Sequence, residues 1–279
     1  MSIIRVACEL RYRVTAPTSF LFNVAVANTT HQAVRQEHFT IVPYAEYTVE
    51  NVGEEGNRVV RLQAKVGDFS LQYQATVTLE PEVDDPPTIM EAEHPELPSE
   101  VLPYLNPSRY CESDRLLRLA GKEFGEIAPG YSRVAAICDW THARLDYVAG
   151  STDARSSACD VLVQRAGVCR DFAHVALTLC RALSIPARYV SGYAVGLNPP
   201  DFHGFFEAYL GTRWYLFDAT RMAPRDGLVR IGTGRDAADA AFATVIGAAT
   251  LKDMTVSAQE LTDEIAAQPT GDEPAISTA

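Results

Sequence analysis

The stretch Arg165–His174 reads RAGVCRDFAH and places a cysteine where a loop ends and an amphipathic helix begins. From Cys169 onward, apolar residues recur at helical spacing, which predicts a helix that buries one face and ends before Pro186. Gly167 permits a tight, unusual backbone just before this helix. The first N–H groups of a helix are unpaired and the macrodipole is positive there, so a thiol at this end is favoured in its nucleophilic thiolate form. Cys169 is therefore a candidate for covalent catalysis.

The residues around this helix, 104–256, change their periodicity once along the chain. Upstream of the cysteine, helical spacing predicts helices over 114–124 and 132–145 and a short helix over 159–165. Downstream, the apolar period becomes two and predicts strands over 188–195, 203–210 and 213–218. Helices followed by an antiparallel sheet form an α+β arrangement, which is the fold class predicted for this part of the chain.

The last two of these strands carry a candidate base and its partner. Residues 211–212, Gly-Thr, have the character of a two-residue hairpin turn, which sets Leu210 opposite Arg213. Continuing that register places His203 on the same face as Asp218 and diagonal to it, about 7–8 Å away at the backbone. A three-residue loop would shift the register by one and separate the two side chains. Because a cysteine nucleophile needs a base and the base needs an orienting group, the spacing predicts a pair between His203 and Asp218.

Four segments resemble those of the bacterial transglutaminase-like proteins, which share the papain-like core of cysteine proteases. They read GVCRDFAH at 167–174, IPARYVSGY at 185–193, DFH at 201–203 and WYLFDAT at 214–220. The resemblance covers the whole catalytic half of the chain. It implies a papain-like, transglutaminase-like core in which Cys169 is the nucleophile, His203 the base and Asp218 the orienting acid. A β module and a Pro-rich linker precede this core in many members.

Two motifs depart from the usual pattern of that family. Gly204 and Phe205 follow the histidine where the family often has Ala-Trp, and Ala219 follows Asp218 where proline is more frequent. Both changes leave Cys169, His203 and Asp218 in place. We therefore expect the departures to bear on the substrate groove and its specificity rather than on the chemistry.

The rest of the chain divides into three segments. Residues 1–80 alternate apolar and polar side chains over several short runs and predict an all-β, sandwich-like module, with Gly67 and Asp68 as a two-residue hairpin turn. Residues 81–103 are rich in proline and acidic residues and predict a solvated linker. Residues 257–279 are acidic, rich in small residues and aperiodic, which predicts a disordered tail. The module is expected to cover or extend the active-site groove, or to bind a partner.

Bulk composition excludes several classes of protein. The 279 residues carry a net charge of −12, which argues against a nucleic-acid binder and does not favour anionic membranes. No apolar run approaches the about 18 residues that a membrane span needs, and the N-terminus does not have the pattern of a signal peptide. The six scattered cysteines form no CxxC pair and fit reduced thiols in a cytoplasm. His31, His38 and His94 lie without paired ligands, so no metal site and no cofactor are expected, and the Ca²⁺ dependence of animal transglutaminases does not carry over.

An oxyanion hole is expected to complete the site. The backbone N–H of Cys169 supplies one donor, and Gln164, five residues upstream, is a candidate for the second. A tyrosine or tryptophan near the groove is an equal alternative.

The expected reaction is acyl transfer from a peptide, isopeptide or side-chain amide through a thioester. Hydrolysis by a protease or amidase is favoured because the bacterial relatives are mostly regarded as proteases. The alternatives are a protein-glutamine transglutaminase, in which an amine accepts the acyl group, and a non-catalytic peptide-binding or assembly protein. The expected partner is a peptide or protein substrate; the sequence leaves the substrate, the acyl acceptor and the oligomeric state open.

Overall fold

The structure is a computed structural model that describes residues 1–53, 56–261 and 274–279. The helices are α1 (Ser113–Phe124), α2 (Tyr131–Arg144), α3 (Ala158–Gln164) and α4 (Cys169–Ala182). The strands are β1 (Ser2–Val14), β2 (Thr18–Phe22), β3 (Gln32–Val42), β4 (Tyr47–Val52), β5 (Asn57–Ala64), β6 (Gly67–Leu79), β7 (Glu82–Asp84), β8 (Asp146–Tyr147), β9 (Ala166–Gly167), β10 (Ala187–Ala194), β11 (His203–Leu210), β12 (Arg213–Phe217), β13 (Leu228–Gly234), β14 (Ala243–Ile246), β15 (Ala249–Glu260) and β16 (Ala275–Ser277). The helices and strands predicted within residues 104–256 agree with these bounds to within one or two residues. The periodicity did not indicate the strands β8, β9, β13, β14 and β15.

The N-terminal part is a sandwich of two four-stranded sheets. The strand order is β15-β1-β6-β3 in one sheet and β14-β2-β5-β4 in the other. Alternate residues of β1, such as Ile4 and Val6, are buried between the sheets. The interior also holds stacked rings, with Phe20 centred 4.9 Å from Phe22 and 5.2 Å from Phe69. The predicted sandwich-like all-β module is confirmed.

The hairpin predicted at Gly67 and Asp68 is wrong. These two residues begin β6, which pairs with β1 and β3, whereas β5 pairs with β2 and β4. Leu62 of β5 and Leu71 of β6 share one hydrophobic core, so the two strands face each other across the sandwich. Since this arrangement buries the apolar face of both strands, the chain crosses between the sheets over residues 65–66 instead of turning back.

Residues 104–234 form a four-stranded antiparallel sheet of order β12-β11-β10-β13 with helices on one face. Every residue of β10 and β11 is buried, because both faces of the sheet are covered. Helix α4 packs on one face through Phe172, which shares a core with Phe206. On the other face, Phe205 and Leu216 pack with Ile276 of the C-terminal strand β16. The α+β class predicted for this half is confirmed.

Residues 81–103 are not the solvated linker that their prolines predict. Strand β7 pairs with β16, and Ile89, Leu97 and Val101 are buried. The backbone also bonds to the start of α2 and to the turn after β11, since Ile89 O accepts from Tyr131 N at 3.0 Å and Met90 O accepts from Gly211 N at 2.8 Å. Prolines prevent a long helix here, but the apolar residues between them still gain by burial.

The prediction of a disordered tail from residue 257 is also wrong wherever the structure describes it. Strand β15 continues to Glu260, which pairs with Ile4 of β1. Residues 275–278 are buried, and three of them form β16; residues 262–273 lie outside the described residues. The part of the chain with the four-stranded sheet and its helices therefore ends before β14, because β14 and β15 return to the sandwich. Backbone pairing with β1 and β2 stabilises these strands even though their own side chains are mostly exposed.

Amide side chains join the sandwich to the free edge of β13. Asn57 donates from Nδ2 to Thr233 O at 2.7 Å and accepts from Thr233 N at 2.8 Å. Gln32 makes the same pair of bonds with Arg230, at 2.9 Å to its carbonyl oxygen and 2.8 Å from its N–H. The two side chains take the place of a neighbouring strand and satisfy an edge that would otherwise be open. The sandwich thus supports the sheet that carries the histidine.

Candidate active site

Cys169 is the first residue of α4, as the sequence predicts, and Asp171 holds the loop before it. The carboxylate of Asp171 is fully buried and accepts from Val168 N at 2.9 Å. It also accepts from Arg170 at 2.8 and 3.0 Å and from the Thr152 hydroxyl. The buried carboxylate of Asp171 thus fixes the turn on which the thiol stands.

A glycine is required at position 167 because the backbone there lies close to the side chain of Asp171. A Cβ at this position would lie 2.7 Å from Cβ of Asp171, which is closer than real Cβ atoms approach. Gly167 itself is extended and pairs with Tyr147 in the short parallel ladder of β8 and β9. The unusual backbone conformation expected before the helix is therefore replaced by a close approach of two chain segments.

His203 and Asp218 form the pair that the hairpin register predicts. Leu210 lies opposite Arg213, and the register continues unbroken along the hairpin. His203 donates from Nε2 to Oδ2 of Asp218 at 2.8 Å, and both side chains are almost completely buried. The predicted pairing is confirmed, because the two-residue turn leaves both residues on one face of the sheet.

Thr220 is a site residue that the sequence reasoning did not single out. Its backbone N–H and its hydroxyl both donate to Oδ1 of Asp218, at 2.9 and 2.8 Å. The hydroxyl then accepts from Met222 N at 3.2 Å. With Oδ1 occupied in this way, Asp218 presents Oδ2 to the histidine. The signal that could have identified Thr220 is its place in the quoted segment 214–220 two residues after the acid.

The electrostatics of the pair favour a charged histidine. Burial by itself lowers the pKa of His203, but the hydrogen bonds and charges of Asp218 and Cys169 outweigh it and raise that pKa to about 10. Burial by itself raises the pKa of Asp218, but the bond and charge of His203 and the donors of Thr220 hold it below its usual value. The histidine is therefore an imidazolium at neutral pH, facing a carboxylate.

The thiol of Cys169 lies beside this pair. Its Sγ is 3.9 Å from the carbonyl oxygen of Phe202, the residue before the histidine, and its interaction with His203 contributes to the raised pKa of the imidazole. Nδ1 of His203 is buried and makes no hydrogen bond within the described residues. Since Nε2 is bonded to Asp218, Nδ1 is the nitrogen left to serve the thiol. The structure thus brings Cys169, His203 and Asp218 together.

Gln164, the candidate for the second oxyanion donor, points elsewhere. It is the last residue of α3, its side chain is exposed, and Nε2 donates to Ser151 O at 2.8 Å. Tyr147 takes a position beside the nucleophile instead. It pairs with Gly167, its ring centre lies 6.0 Å from that of Phe172, and its hydroxyl interacts with the backbone and the thiol of Cys169.

The departures from the family motifs lie in packed regions. A Cβ at Gly204 would stand 2.7 Å from the hydroxyl oxygen of Tyr189 and 3.1 Å from Cα of Arg170. The glycine thus lets that tyrosine and the first turn of α4 come close to the strand. Phe205 is buried in the sheet face covered by β16, and Ala219 is buried with its carbonyl oxygen 3.3 Å from Nδ1 of His142. None of the three residues is exposed.

His174 of α4 and the thiols of Cys8 and Cys111 are buried away from Cys169. His174 is buried, accepts from Ala237 N at 3.1 Å and stacks on Tyr110, and burial lowers its pKa to about 3. Burial raises the pKa of the Cys8 thiol to about 11 and that of Cys111 to about 12. Within residues 1–53, 56–261 and 274–279, no group of three or more His, Cys, Asp or Glu side chains is arranged to hold a metal ion. No helix in the described part of the chain is long and apolar enough to cross a membrane.

Comparison with known proteins finds a matching family for each of the two main parts of the chain. Residues 119–219 match the transglutaminase-like superfamily, and residues 2–87 match the bacterial transglutaminase, N-terminal domain, family. The crystal structure of a candidate cysteine protease from Cytophaga hutchinsonii is 43% identical, with a TM-score of 0.95 over 100% of this chain and 98% of that chain. An uncharacterized protein of Mycobacterium leprae is 34% identical over 146 residues, and one of Mycobacterium bovis is 44% identical over 54 residues. These matches cover 49% and 19% of this chain and 52% and 17% of the two relatives, so the chain spans about half the length of the first of them.

Proposed function

This chain belongs to the transglutaminase-like superfamily, and from that premise we propose that it hydrolyses amide bonds of peptides or proteins through a thioester on Cys169. The observation that carries the proposal is the buried 2.8 Å hydrogen bond between His203 and Asp218 beside a thiol at a helix N-terminus. The fold is one that supports cysteine-based catalysis, and the relative from Cytophaga hutchinsonii is described as a candidate cysteine protease, which supports an enzyme here as well.

The first half of the reaction forms the acyl-enzyme. The thiolate of Cys169 attacks the carbonyl carbon, a C–S bond forms and the π electrons move to the carbonyl oxygen. The tetrahedral intermediate then collapses, the C–N bond breaks, and His203 gives its proton to the departing amine. A histidine with a pKa of about 10 enters this step already protonated, so the imidazolium is both the partner of the thiolate and the acid.

The second half releases the acid. His203 is neutral after it has given its proton to the amine, so it can accept a proton from water as the water oxygen attacks the thioester. The C–S bond breaks, the thiolate is restored and a carboxylic acid leaves. Throughout, Asp218 keeps the imidazole oriented through Nε2, and Thr220 keeps Asp218 in place.

A second candidate, a transglutaminase in which an amine takes the place of water, is favoured by Asp201. This carboxylate lies two residues before the histidine and close enough for the charge of His203 to act on its pKa. Burial raises the pKa of Asp201, while the N–H of Phe202, which donates to Oδ1 at 2.7 Å, and the charge of His203 oppose that rise. In its ionised form this side chain attracts a cationic amine to the edge of the site. Adding a primary alkylamine to the assay separates the two reactions, since an amine acceptor yields a new amide and water yields a free carboxylate.

The decisive experiment traps the acyl group. The full chain is incubated with peptides and with γ-glutamyl and isopeptide amides, amine or ammonia release is measured, and the protein is quenched for mass spectrometry. We expect an acyl mass on the peptide that contains Cys169 and no release by Cys169→Ser. Cys159→Ser, which changes a half-buried free thiol elsewhere, is the matched control and should retain activity. Equal release by Cys169→Ser and wild type would rule the proposal out.

Alkylation of the thiols tests the alternative of a non-catalytic protein. Iodoacetamide at pH 6–7 should modify Cys169 selectively, because the other thiols are not paired with an imidazolium. His203→Ala should remove this selectivity. Equally slow modification of all six thiols would favour a protein that binds peptides without acting on them.

A cytoplasmic location is part of the proposal. All six cysteines lie in the described part of the chain as free thiols, which supports a reducing compartment. Fusions of the full chain to alkaline phosphatase and to β-galactosidase, each active on one side of the membrane, test it. Activity of the phosphatase fusion would contradict it.

A further inference from the structure

The sandwich carries an open groove on the outer face of the sheet β14-β2-β5-β4, opposite its core. Its volume is about 1070 Å³, and its floor includes Ser19, Leu21, Arg61, Gln63, Thr244 and Ile246; we call it the outer groove. On β2, Ser19 and Leu21 face the groove while Phe20 and Phe22 are buried in the core, as the alternation of a strand requires. The outer groove therefore has the size of pockets that hold a ligand.

The strand register sets the side chains of the groove floor in rows across the sheet. One row crosses all four strands and consists of Thr244, Leu21, Arg61 and Thr48. Three strand spacings of about 4.8 Å make this row roughly 14 Å long, which is the length of about four residues of extended chain. The floor therefore has the dimensions of a short extended segment of polypeptide.

One wall of the outer groove is also a neighbour of the active site. Residues 238–241 contribute this wall, and Phe242 follows them directly. The ring of Phe242 stacks on that of Phe202, with 5.3 Å between the centres and 19° between the planes. Phe202 precedes the histidine, and its carbonyl oxygen is 3.9 Å from Sγ of Cys169. A polypeptide that leaves the groove at this wall therefore begins two stacked rings away from the nucleophile.

The charged groups that line the outer groove are mostly acids. Among the described residues they are the carboxylates of Glu46, Glu50 and Asp239 and the guanidinium of Arg61. Arg61 bonds to Glu50, and Arg235, which stands outside the groove, donates to Asp239 at 3.0 Å. Glu46 is exposed and has no ion pair in the part of the chain that the structure describes. A positively charged occupant would give this carboxylate its partner, whereas an anion would be repelled.

Two uncharged groups of the outer groove favour the same kind of occupant. Tyr44 lies two residues before Glu46 and is 79% exposed, so its ring face is open to a guanidinium or an ammonium group. Asn23, at the end of the groove near Phe242, is only 5% exposed, and its Oδ1 has no hydrogen-bond partner within the described residues. Because buried acceptors are normally bonded, this oxygen favours an occupant that brings N–H donors.

We propose that the outer groove is a second binding site, which holds an extended segment rich in arginine or lysine of the polypeptide whose amide bond reacts at Cys169. The inference rests on the proposed acyl transfer and names its substrate class, a polypeptide with a basic segment apart from the bond that is cleaved. No bond is made or broken in the groove. Binding there raises the effective concentration of the reacting amide at the thiol.

A set of tethered esters tests this site on the full chain. Each probe is an acetylated tetra-arginine segment joined through two to eight glycines to a p-nitrophenyl ester, so that the linker reaches up to roughly 27 Å when extended. The reference for each probe is the same ester without the arginines. The rate of p-nitrophenol release from acylation of Cys169 is measured below saturation. We expect at least one linker length to react about tenfold faster than its reference, or more.

Substitutions in the groove show where the basic segment binds. Tyr44→Ala combined with Glu46→Gln removes the open ring and the unpaired carboxylate, and both residues are exposed, so the fold should be retained. We expect this double variant to lose most of the rate advantage of the tethered esters over their references. Glu126→Gln removes one exposed carboxylate outside the groove and is the matched control for charge. It should keep the full advantage.

Each other outcome overturns the inference. An advantage that persists in the double variant would mean that the arginines bind elsewhere on this acidic protein. If no linker gives an advantage while p-nitrophenyl acetate acylates Cys169, the groove holds no basic segment and the proposed function stands. A dimer in sedimentation equilibrium that Tyr44→Ala dissociates would show that a second copy fills the groove. A wild type that p-nitrophenyl acetate acylates no faster than Cys169→Ser overturns the proposed function, and this inference falls with it.

Discussion

Nε2 of His203 donates a hydrogen bond of 2.8 Å to Oδ2 of Asp218, and both side chains are buried. The acid therefore fixes the orientation of the ring, with Nε2 toward the carboxylate and Nδ1 left to serve the thiol. Replacing Asp218 by asparagine keeps the shape but removes the charge that raises the pKa of His203. We expect Asp218→Asn to slow acylation by p-nitrophenyl acetate roughly 10²- to 10⁴-fold. Asp226→Asn, at an exposed site, is the control; a loss under about fivefold in Asp218→Asn would contradict an orienting role.

The same pair makes the stability of the protein depend on pH. The pKa of His203 is about 10 in the folded protein against an ordinary value of 6.5, so the folded state holds this proton more tightly. Its contribution to the free energy of unfolding is complete below pH 6.5 and is lost as the pH rises toward 10. Denaturant unfolding between pH 6.5 and 9 should show this decline in the wild type.

The double variant His203→Gln with Asp218→Asn is the control for that experiment. It keeps two polar side chains of similar size but removes both charges, so its free energy of unfolding should vary less over the same range. Equal slopes in the two proteins would show that the pair does not titrate as described.

Gly204 lets Tyr189 and the first turn of α4 come close to the strand that begins with the histidine, and a substitution there tests this contact. A Cβ there would lie 2.7 Å from the Tyr189 hydroxyl oxygen, so Gly204→Ala forces either the ring or the first turn of α4 to move. We expect a loss of about 1–3 kcal/mol in the free energy of unfolding and slower acylation. Adding Tyr189→Phe removes the nearer atom and should restore part of both.

Gly121→Ala is the matched control for this substitution. No atom lies within 4 Å of a Cβ at that position of α1, and alanine favours a helix. Its stability should therefore equal or exceed that of the wild type. A Gly204→Ala variant as stable and active as the wild type would mean that the ring and the helix yield without cost.

Asp171 supports the nucleophile from inside the protein. Asp171→Ala leaves Arg170 and the N–H of Val168 without their carboxylate. Losing one partner of a buried ion pair costs about 3–5 kcal/mol, less here because Arg170 is partly exposed. We expect a lower melting temperature and slower alkylation of Cys169 by iodoacetamide. Asp160 is an exposed capping residue of α3, and Asp160→Ala is the control. It should lower the free energy of unfolding by about 1 kcal/mol and leave alkylation unchanged. Equal effects of the two variants would contradict a special role for Asp171.

Ile276 tests whether the C-terminal strand is part of the folded core. Its side chain packs with Phe205 and Leu216 on the sheet face that carries the histidine. Ile276→Ala should lower the free energy of unfolding by about 2–4 kcal/mol. Ile246→Ala, at a residue that is 59% exposed, should cost far less. A disordered C-terminus would make the two variants equally stable.

Much of the site follows from local features of the sequence. Helical spacing after Cys169 predicts α4, and the two-residue turn at 211–212 predicts which residues of β11 and β12 share a face. Because a turn of known length leaves one register, His203 and Asp218 could be paired without any knowledge of the rest of the fold. The four quoted segments then agree with the family to which the chain belongs.

The partners of distant segments could not be predicted in this way. Strands β5 and β6 have the alternation of a hairpin yet belong to different sheets, and β15 pairs with β1 from the other end of the chain. Alternation of apolar and polar residues indicates only that one face of a strand is buried. It does not indicate which other segment covers that face. The same limit hid Tyr147, which reaches Cys169 through a ladder of two-residue strands too short to show a period.

The sequence by itself thus determined the nucleophile's place at a helix start and the pairing of its base and acid, since both depend on spacing along one stretch of chain. Only the tertiary structure decided which groups surround that pair. Asp171 beneath the loop, Tyr189 against Gly204, Tyr147 beside the thiol and the C-terminal strand behind the sheet are all brought there by burial of faces and satisfaction of strand edges. These are properties of the assembled chain, and no local pattern records them.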